Sequence, residues 1–253
     1  WGTSGDGVWM RDLPLGALNL ADQGAPEKAR AIAYALAQVM AGAASLTSLA
    51  EQYGVLARSA LESSADVDAR TFVHVSSSVY HSCRGQWNEA VEQANAAVRI
   101  SEEFGLRGRW AESILALRNG YNAAGRFAEA EAVDTTLCES EIEGLARFRM
   151  WSHANRAVIR AISGRCDEAS EDIQAARALS PAGQEAVDSI IVHTTAAVVA
   201  LAGGQFQDSR VELETDELPV VGTDAAKLPT VNHGTVDQQQ PDHINQPRRK
   251  PDE

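Results

Sequence analysis

Gly85-Gln86-Trp87-Asn88-Glu89-Ala90 is a phrase that this chain repeats. It returns as Gly125-Arg126-Phe127-Ala128-Glu129-Ala130, as Gly164-Arg165-Cys166-Asp167-Glu168-Ala169 and as Gly204-Gln205-Phe206-Gln207-Asp208-Ser209. The four glycines stand 40, 39 and 40 residues apart. A period of this length marks a solenoid, in which each unit is a helix pair that buries its apolar face against its neighbours. Glycine tolerates the left-handed backbone conformation that closes a helix C-terminus, so each one is expected where the first helix of a pair stops and reverses. The aromatic two residues on (Trp87, Phe127, Phe206) is expected to open the second helix and plug the seam between the two. The alanine three residues further on (Ala90, Ala130, Ala169) lets the helices touch. If the seam reading is right, Trp87→Ala costs about 3–5 kcal/mol through the pocket it empties.

Working outward from the glycines, the chain reads as ten helices in five pairs. They are 26–43 with 46–63, 67–84 with 86–103, 107–124 with 126–140, 142–163 with 165–179, and 183–203 with an incomplete partner starting at 205. The first pair lacks the glycine and the aromatic, but Ala50 lies 40 residues before Ala90 and Ala57 keeps the same register with Ala97. The expected fold class is therefore all-α, a right-handed solenoid of about five hairpins over 25–206. Residues 1–24 carry five of the glycines and read as a linker. Residues 207–253 lose the helical period and hold five of the eight prolines, so they read as a disordered tail or as the end of a truncated or out-of-register coding region. An incomplete last helix would expose part of Ile190, Ile191, Val198, Val199 and Leu201, which predicts self-association or fraying at that end.

Composition narrows the function. The chain has 253 residues and a net charge of −13, which disfavours general nucleic-acid binding. Cys83, Cys138 and Cys166 form no CxxC pair, as expected for a reduced, cytoplasmic setting. No signal peptide and no run of 18 apolar residues is present, so no membrane partner is expected. The first residue is Trp1, which suggests a fragment of a longer protein.

The paired phrase, with alanine often recurring twelve residues after the glycine, resembles the tetratricopeptide repeat. Leu117 and Tyr121 match that family's first-helix leucine and tyrosine. The period exceeds the family's usual length of about 34 residues. It is similar to the long-helix variety of large bacterial signalling proteins. Two stretches resemble the C-terminal repeats of multidomain adenylate/guanylate cyclases that also carry a P-loop ATPase domain. One is Ala41 to Ala60, with Leu46, Leu49, Ala50 and Tyr53. The other is Ala97 to Ala130, with Arg107-Gly108-Arg109-Trp110-Ala111-Glu112 and Gly125-Arg126-Phe127. The family has a more basic run and a second acid there, where this chain has Gly108 and Ala111. The resemblance implies a repeat region over about 26–206, with any cyclase chemistry upstream.

Within the chain itself no catalytic, cofactor-binding or metal-binding constellation is evident. No GxxxxGK[ST], HExxH or EF-hand pattern occurs. His74 and His81 share a helix face with Cys83 nearby, and Glu139, Glu141 and Glu143 cluster at a junction, but the first group reads as ordinary partly buried helix positions and the second as a solvated face. Residues 105–165 hold nine arginines against seven acids. They form either an ion-pair-laced surface or a docking patch for an acidic peptide or neighbouring domain. By offset from the turn glycine, the groove along the first helices is lined by Glu112, Leu115, Asn119 and Asn122, then Trp151, with Arg109 and Arg149 as the cations that capture an acidic partner. The expected function is a non-catalytic protein- or peptide-binding module of a larger signalling protein. The alternatives are the sensor region of a transcriptional activator and a free-standing scaffold.

Overall fold

A computed structural model of the chain describes Gly16, Leu18, Asn19 and residues 21–62, 64–179 and 186–213. These lie in a compact unit spanning Trp1–Pro219; a second unit, Val220–Glu253, falls outside the described residues. Among the described residues ten α-helices follow one another from Glu27 onward, and there is no strand. They are α1 (Glu27–Ala43), α2 (Thr47–Glu62), α3 (Val67–Cys83), α4 (Trp87–Glu103), α5 (Arg107–Ala123), α6 (Phe127–Cys138), α7 (Ala146–Ile162), α8 (Cys166–Ala178), α9 (Ala186–Ala202) and α10 (Phe206–Leu213).

The repeated glycine makes the reversal. Gly85, Gly125, Gly164 and Gly204 have φ of 71°, 72°, 79° and 76°, in the left-handed region. At the first of these, the Gly85 N–H donates to the Ser82 carbonyl at 3.1 Å and the Gln86 N–H to the His81 carbonyl at 2.9 Å. This double bond pattern satisfies the last carbonyls of the helix and fixes the exit angle. The same pair of bonds recurs at the other three glycines. The first hairpin has it too, around a residue the sequence pattern does not single out. Ser45, forty residues before Gly85, takes φ 61°, donates to the Gly42 carbonyl at 3.0 Å and is followed by the Leu46 N–H bonding Ala41 at 2.8 Å.

The arms of each hairpin meet on alanine. Ala50, Ala90, Ala130 and Ala169 are fully buried, as are the residues seven further on, Ala57, Ala97, Leu137 and Ala176. Close backbone approach also holds α1 against α3, where a Cβ on Gly42 would lie 2.6 Å from Cδ2 of Tyr80. The apolar clusters draw on adjacent hairpins, several of them on one hairpin and the first helix of the next. Ala157 and Ala161 of α7, Ala169 and Ile173 of α8, and Ala196 and Val199 of α9 form one of them.

The seam role of the aromatics is not what the structure shows. Trp87 is 38% exposed and Phe127 43% exposed; the Phe206 side chain lies outside the described residues. With alanine bringing the arms together there is no space for a ring between them. Trp87 instead lies over the turn, its Cζ2 3.6 Å from where a Gly85 Cβ would stand. Truncating it therefore removes only partial burial, and the cost of Trp87→Ala falls to about 2 kcal/mol or less.

Other differences are local. The helix expected from 142 starts at Ala146, because Gly144 at φ 83° and the Ser140 hydroxyl, which accepts from the Ile142 N–H at 3.3 Å, shape a turn first. Upstream, Leu18 and Ala21 pack into the first apolar cluster and Asp22 accepts a 2.9 Å bond from the Tyr34 hydroxyl, so docked structure begins inside the segment read as linker. At the other end α10 forms and Glu212 pairs with Arg177 and His193. It leaves Val198 and Leu201 exposed but Val199 buried. The remainder of the expected tail, from 214, lies outside the described residues.

Packing sorts the helices into two layers. Each first helix (α1, α3, α5, α7, α9) touches the next first helix. Among the described residues no second helix touches another second helix. The first helices therefore form one continuous inner layer, with α5 and α7 its sparsest joint.

Two substitutions test this packing. Ser45→Gly removes a left-handed Cβ and should stabilise the chain by about 0.5–1 kcal/mol, read as a higher urea midpoint; an unchanged or lower midpoint contradicts the turn. Ala130→Leu should destabilise by about 1–3 kcal/mol, and thermal melting that does not move contradicts the alanine contact.

Candidate functional site

The inner layer is where the first helices present side chains side by side. Near their N-terminal ends, ion pairs run from helix to helix. Lys28 Nζ of α1 lies 3.1 Å from Asp66, the N-cap of α3, and 3.5 Å from Asp68. Arg109 of α5 donates to Asp68 at 2.7 Å and to Glu112 at 2.6 Å, with its guanidinium 4.8 Å from the centre of the Phe72 ring. Its hydrogen bond is the largest influence holding the Asp68 carboxyl below its ordinary value. Arg147 of α7 pairs with Asp188 of α9 at 3.0 Å and stacks 4.9 Å from the Trp151 ring, whose N–H also donates to Asp188 at 2.9 Å.

Most of the arginine-rich span is committed in this way. Arg156 and Arg160 of α7 converge on Asp172 of α8, which also accepts from His153 at 2.9 Å. Arg160 and Arg165 both reach Glu131 of α6. Arg126 pairs with Glu129 and stacks on Tyr121. Of the two readings of this span, the geometry matches the ion-pair-laced one: most of these arginines are engaged within the fold, between helices or along one.

Two buried acids among their partners behave oppositely. Asp172 is 2% exposed, and burial alone raises its pKa. The bonds from His153 and Arg156, with the charges of Arg156 and Arg160, overturn that and hold it low. Asp134 of α6 is fully buried and its pKa is pushed up to about 6 by desolvation, against the attraction of Arg118 and a bond from the Asn155 amide. The nearest guanidinium nitrogen, Arg118 Nη1, is 4.0 Å from it, which is an ion pair but not a hydrogen bond.

The residues expected to line a groove divide accordingly. Asn119 is exposed. Asn122 is not free beside it, because its amide donates to Asn155 Oδ1 at 3.0 Å. Leu115 belongs to an apolar cluster. Arg109 and Glu112 bind each other, so neither is an open contact. Arg149 is partly buried with its Nε unpartnered, and Trp151 is half-buried against Phe148 and Asp188. The structure brings Trp151 together with residues that the sequence reading missed. A pocket of about 220 Å³ lies between α5, α7 and α9, lined by Arg118, Trp151, Ala154, Asn155, Val158, Ile191 and Thr195. One sequence signal was available: Arg118 interrupts the apolar run Ile114-Leu115-Ala116-Leu117. The other residues come from helices too far apart in sequence for spacing to join them.

Among the described residues no group of three or more His, Cys, Asp or Glu is placed to hold a metal. His74 bonds Gln93 and His81 bonds Gln86, each at 2.8 Å, and Cys83 is exposed. Glu139, Glu141 and Glu143 are exposed. No helix among those residues is long and apolar enough to cross a membrane. Burial pushes the Cys138 thiol up to about 12, which disfavours the thiolate.

The two acids give a pH test. Folding binds a proton to Asp134 between its unfolded value of 3.8 and about 6, so this group makes stability fall as pH rises through that window. Asp172 and Glu131, held low, act in the other direction, and their contribution is lost as pH falls below 3.8 and 4.5. Carboxyl carbon NMR should show Asp134 titrating with a midpoint near 6 and Asp172 still ionised at pH 4. Equal midpoints contradict the assignment.

Comparison with known proteins adds the fold alone. The sequence matches no protein-family model and no curated protein. Among solved structures the chain is similar to BtubC (BKLC) from P. vanneervenii, at 18% identity and a TM-score of 0.57, over 97% of this chain and 96% of that one.

Proposed function

We propose that this chain is a non-catalytic interaction module that binds a protein or peptide along the inner layer of first helices. The observation that carries the reading is that layer's continuity. Helices α1, α3, α5, α7 and α9 touch in sequence, and the surface they share holds the pocket beside Trp151 and the exposed Asn119. Ion pairs join α1 to α3, α3 to α5 and α7 to α9, and the Asn122–Asn155 bond joins α5 to α7, so the layer supplies its own polar links. It is preorganised, which lowers the entropic cost of binding.

The module acts within a larger signalling protein, where it passes the bound state to other domains. The resemblance of 41–60 and 97–130 to cyclase-associated repeats supports that placement. A partner that fits one curvature of the stack better than another shifts the population between them. The sparse joint between α5 and α7 is where curvature changes at least cost in lost contacts.

Selection of displayed peptides on the whole chain tests the proposal. Recovered peptides should lose binding at least tenfold with Asn119→Arg or Trp151→Ala and keep it with Glu171→Arg on the second helix α8. Binding lost only with Glu171→Arg, or no enrichment at all, contradicts it.

A further inference from the structure

We propose that the pocket between α5, α7 and α9 is a binding site for a carboxylate carried on a short apolar stem, with Arg118 as the group that receives it. Arg118 is 9% exposed and makes no hydrogen bond among the described residues. Its Nε is buried without a partner, and its nearest acid, Asp134, stays 4.0 Å away. The neighbouring arginines differ: Arg156 and Arg160, on the adjacent helix, each bond a carboxylate at 3.0 Å or less. A buried guanidinium without hydrogen bonds is costly, and the missing partner of suitable geometry is a carboxylate.

The pocket describes the rest of the ligand. Trp151, Ala154, Val158 and Ile191 supply an apolar wall, and Asn155 and Thr195 are its polar members. Its 220 Å³ equals the space of roughly seven waters, enough for a short hydrocarbon stem. The wall disfavours a small inorganic anion, which would leave the apolar surface uncovered. Asp134 behind Arg118 disfavours a dianion. The carboxylate can come from a free acid or from an acidic side chain of a peptide on the inner face. Only the second source rests on the function proposed above.

The test uses the whole chain with nitrogen-15-labelled arginine side chains. The free-acid probe is 3-phenylpropanoate, with its amide as control. The peptide probe is acetyl-Ala-Glu-Phe-Ala-amide, with glutamine replacing glutamate as control. Either acid should shift the Arg118 signals saturably with a Kd on the order of 1 mM, at least tenfold tighter than its uncharged control. Arg118→Met should abolish this while keeping the helical circular dichroism. If that variant does not fold, Thr195→Trp, which fills the pocket and keeps Arg118, should block both acids instead. Free-acid binding without peptide binding keeps the site and counts against the peptide reading; peptide binding alone identifies its source. Acids and controls that shift Arg118 equally, no shift from either acid at about 20 mM, or acid binding retained in a folded Arg118→Met overturn the proposal.

Discussion

The left-handed residue that ends each first helix is the constraint on which the architecture depends. Its two backbone bonds fix the angle at which the chain leaves, and the alanine five residues later lets the returning helix come into contact. A larger residue at Ala90 or Ala130 would force the arms apart, and a β-branched one at Gly85 or Gly125 would strain the turn. Because the reversal repeats at a nearly constant interval, every first helix falls on the same side. The continuous inner layer is a consequence of that interval.

On this scaffold the charges have a structural role first. The ladder from Lys28 through Asp68 to Arg109, and the convergence of Arg156 and Arg160 on Asp172, tie neighbouring helices together at defined positions. Such pairs specify register more than they add stability, since desolvation offsets much of their attraction. Arg118 stands apart from this economy. It is as buried as the committed arginines, yet it is aligned with no carboxylate, and it borders the pocket beside Trp151.

The fold was legible because its determinants are local. A glycine, the aromatic after it and an alanine lie within six residues, and their recurrence places most of the helix ends within a residue or two. Ser45 was missed because left-handed serine carries no composition signal; only its distance from Gly85 marks it. Trp87 was placed wrongly because aromatic character does not say which side of a helix start faces solvent. Asn122, expected free in the groove, was misplaced for another reason. Offsets along a helix give a face, but whether Asn122 is free depends on Asn155 of another hairpin. The pocket joins Arg118 to Thr195 across three hairpins, and no spacing rule reaches that far.

The central claim is that each hairpin is buried only against its neighbours, in an unbranched row. Native-state hydrogen exchange of the ten helices reads this directly. The account predicts the greatest protection in α4 to α7, which are flanked on both sides, and opening at lower free energy toward α9 and α10. Uniform protection across all ten helices, lost in one step, would show a single shared core and contradict it.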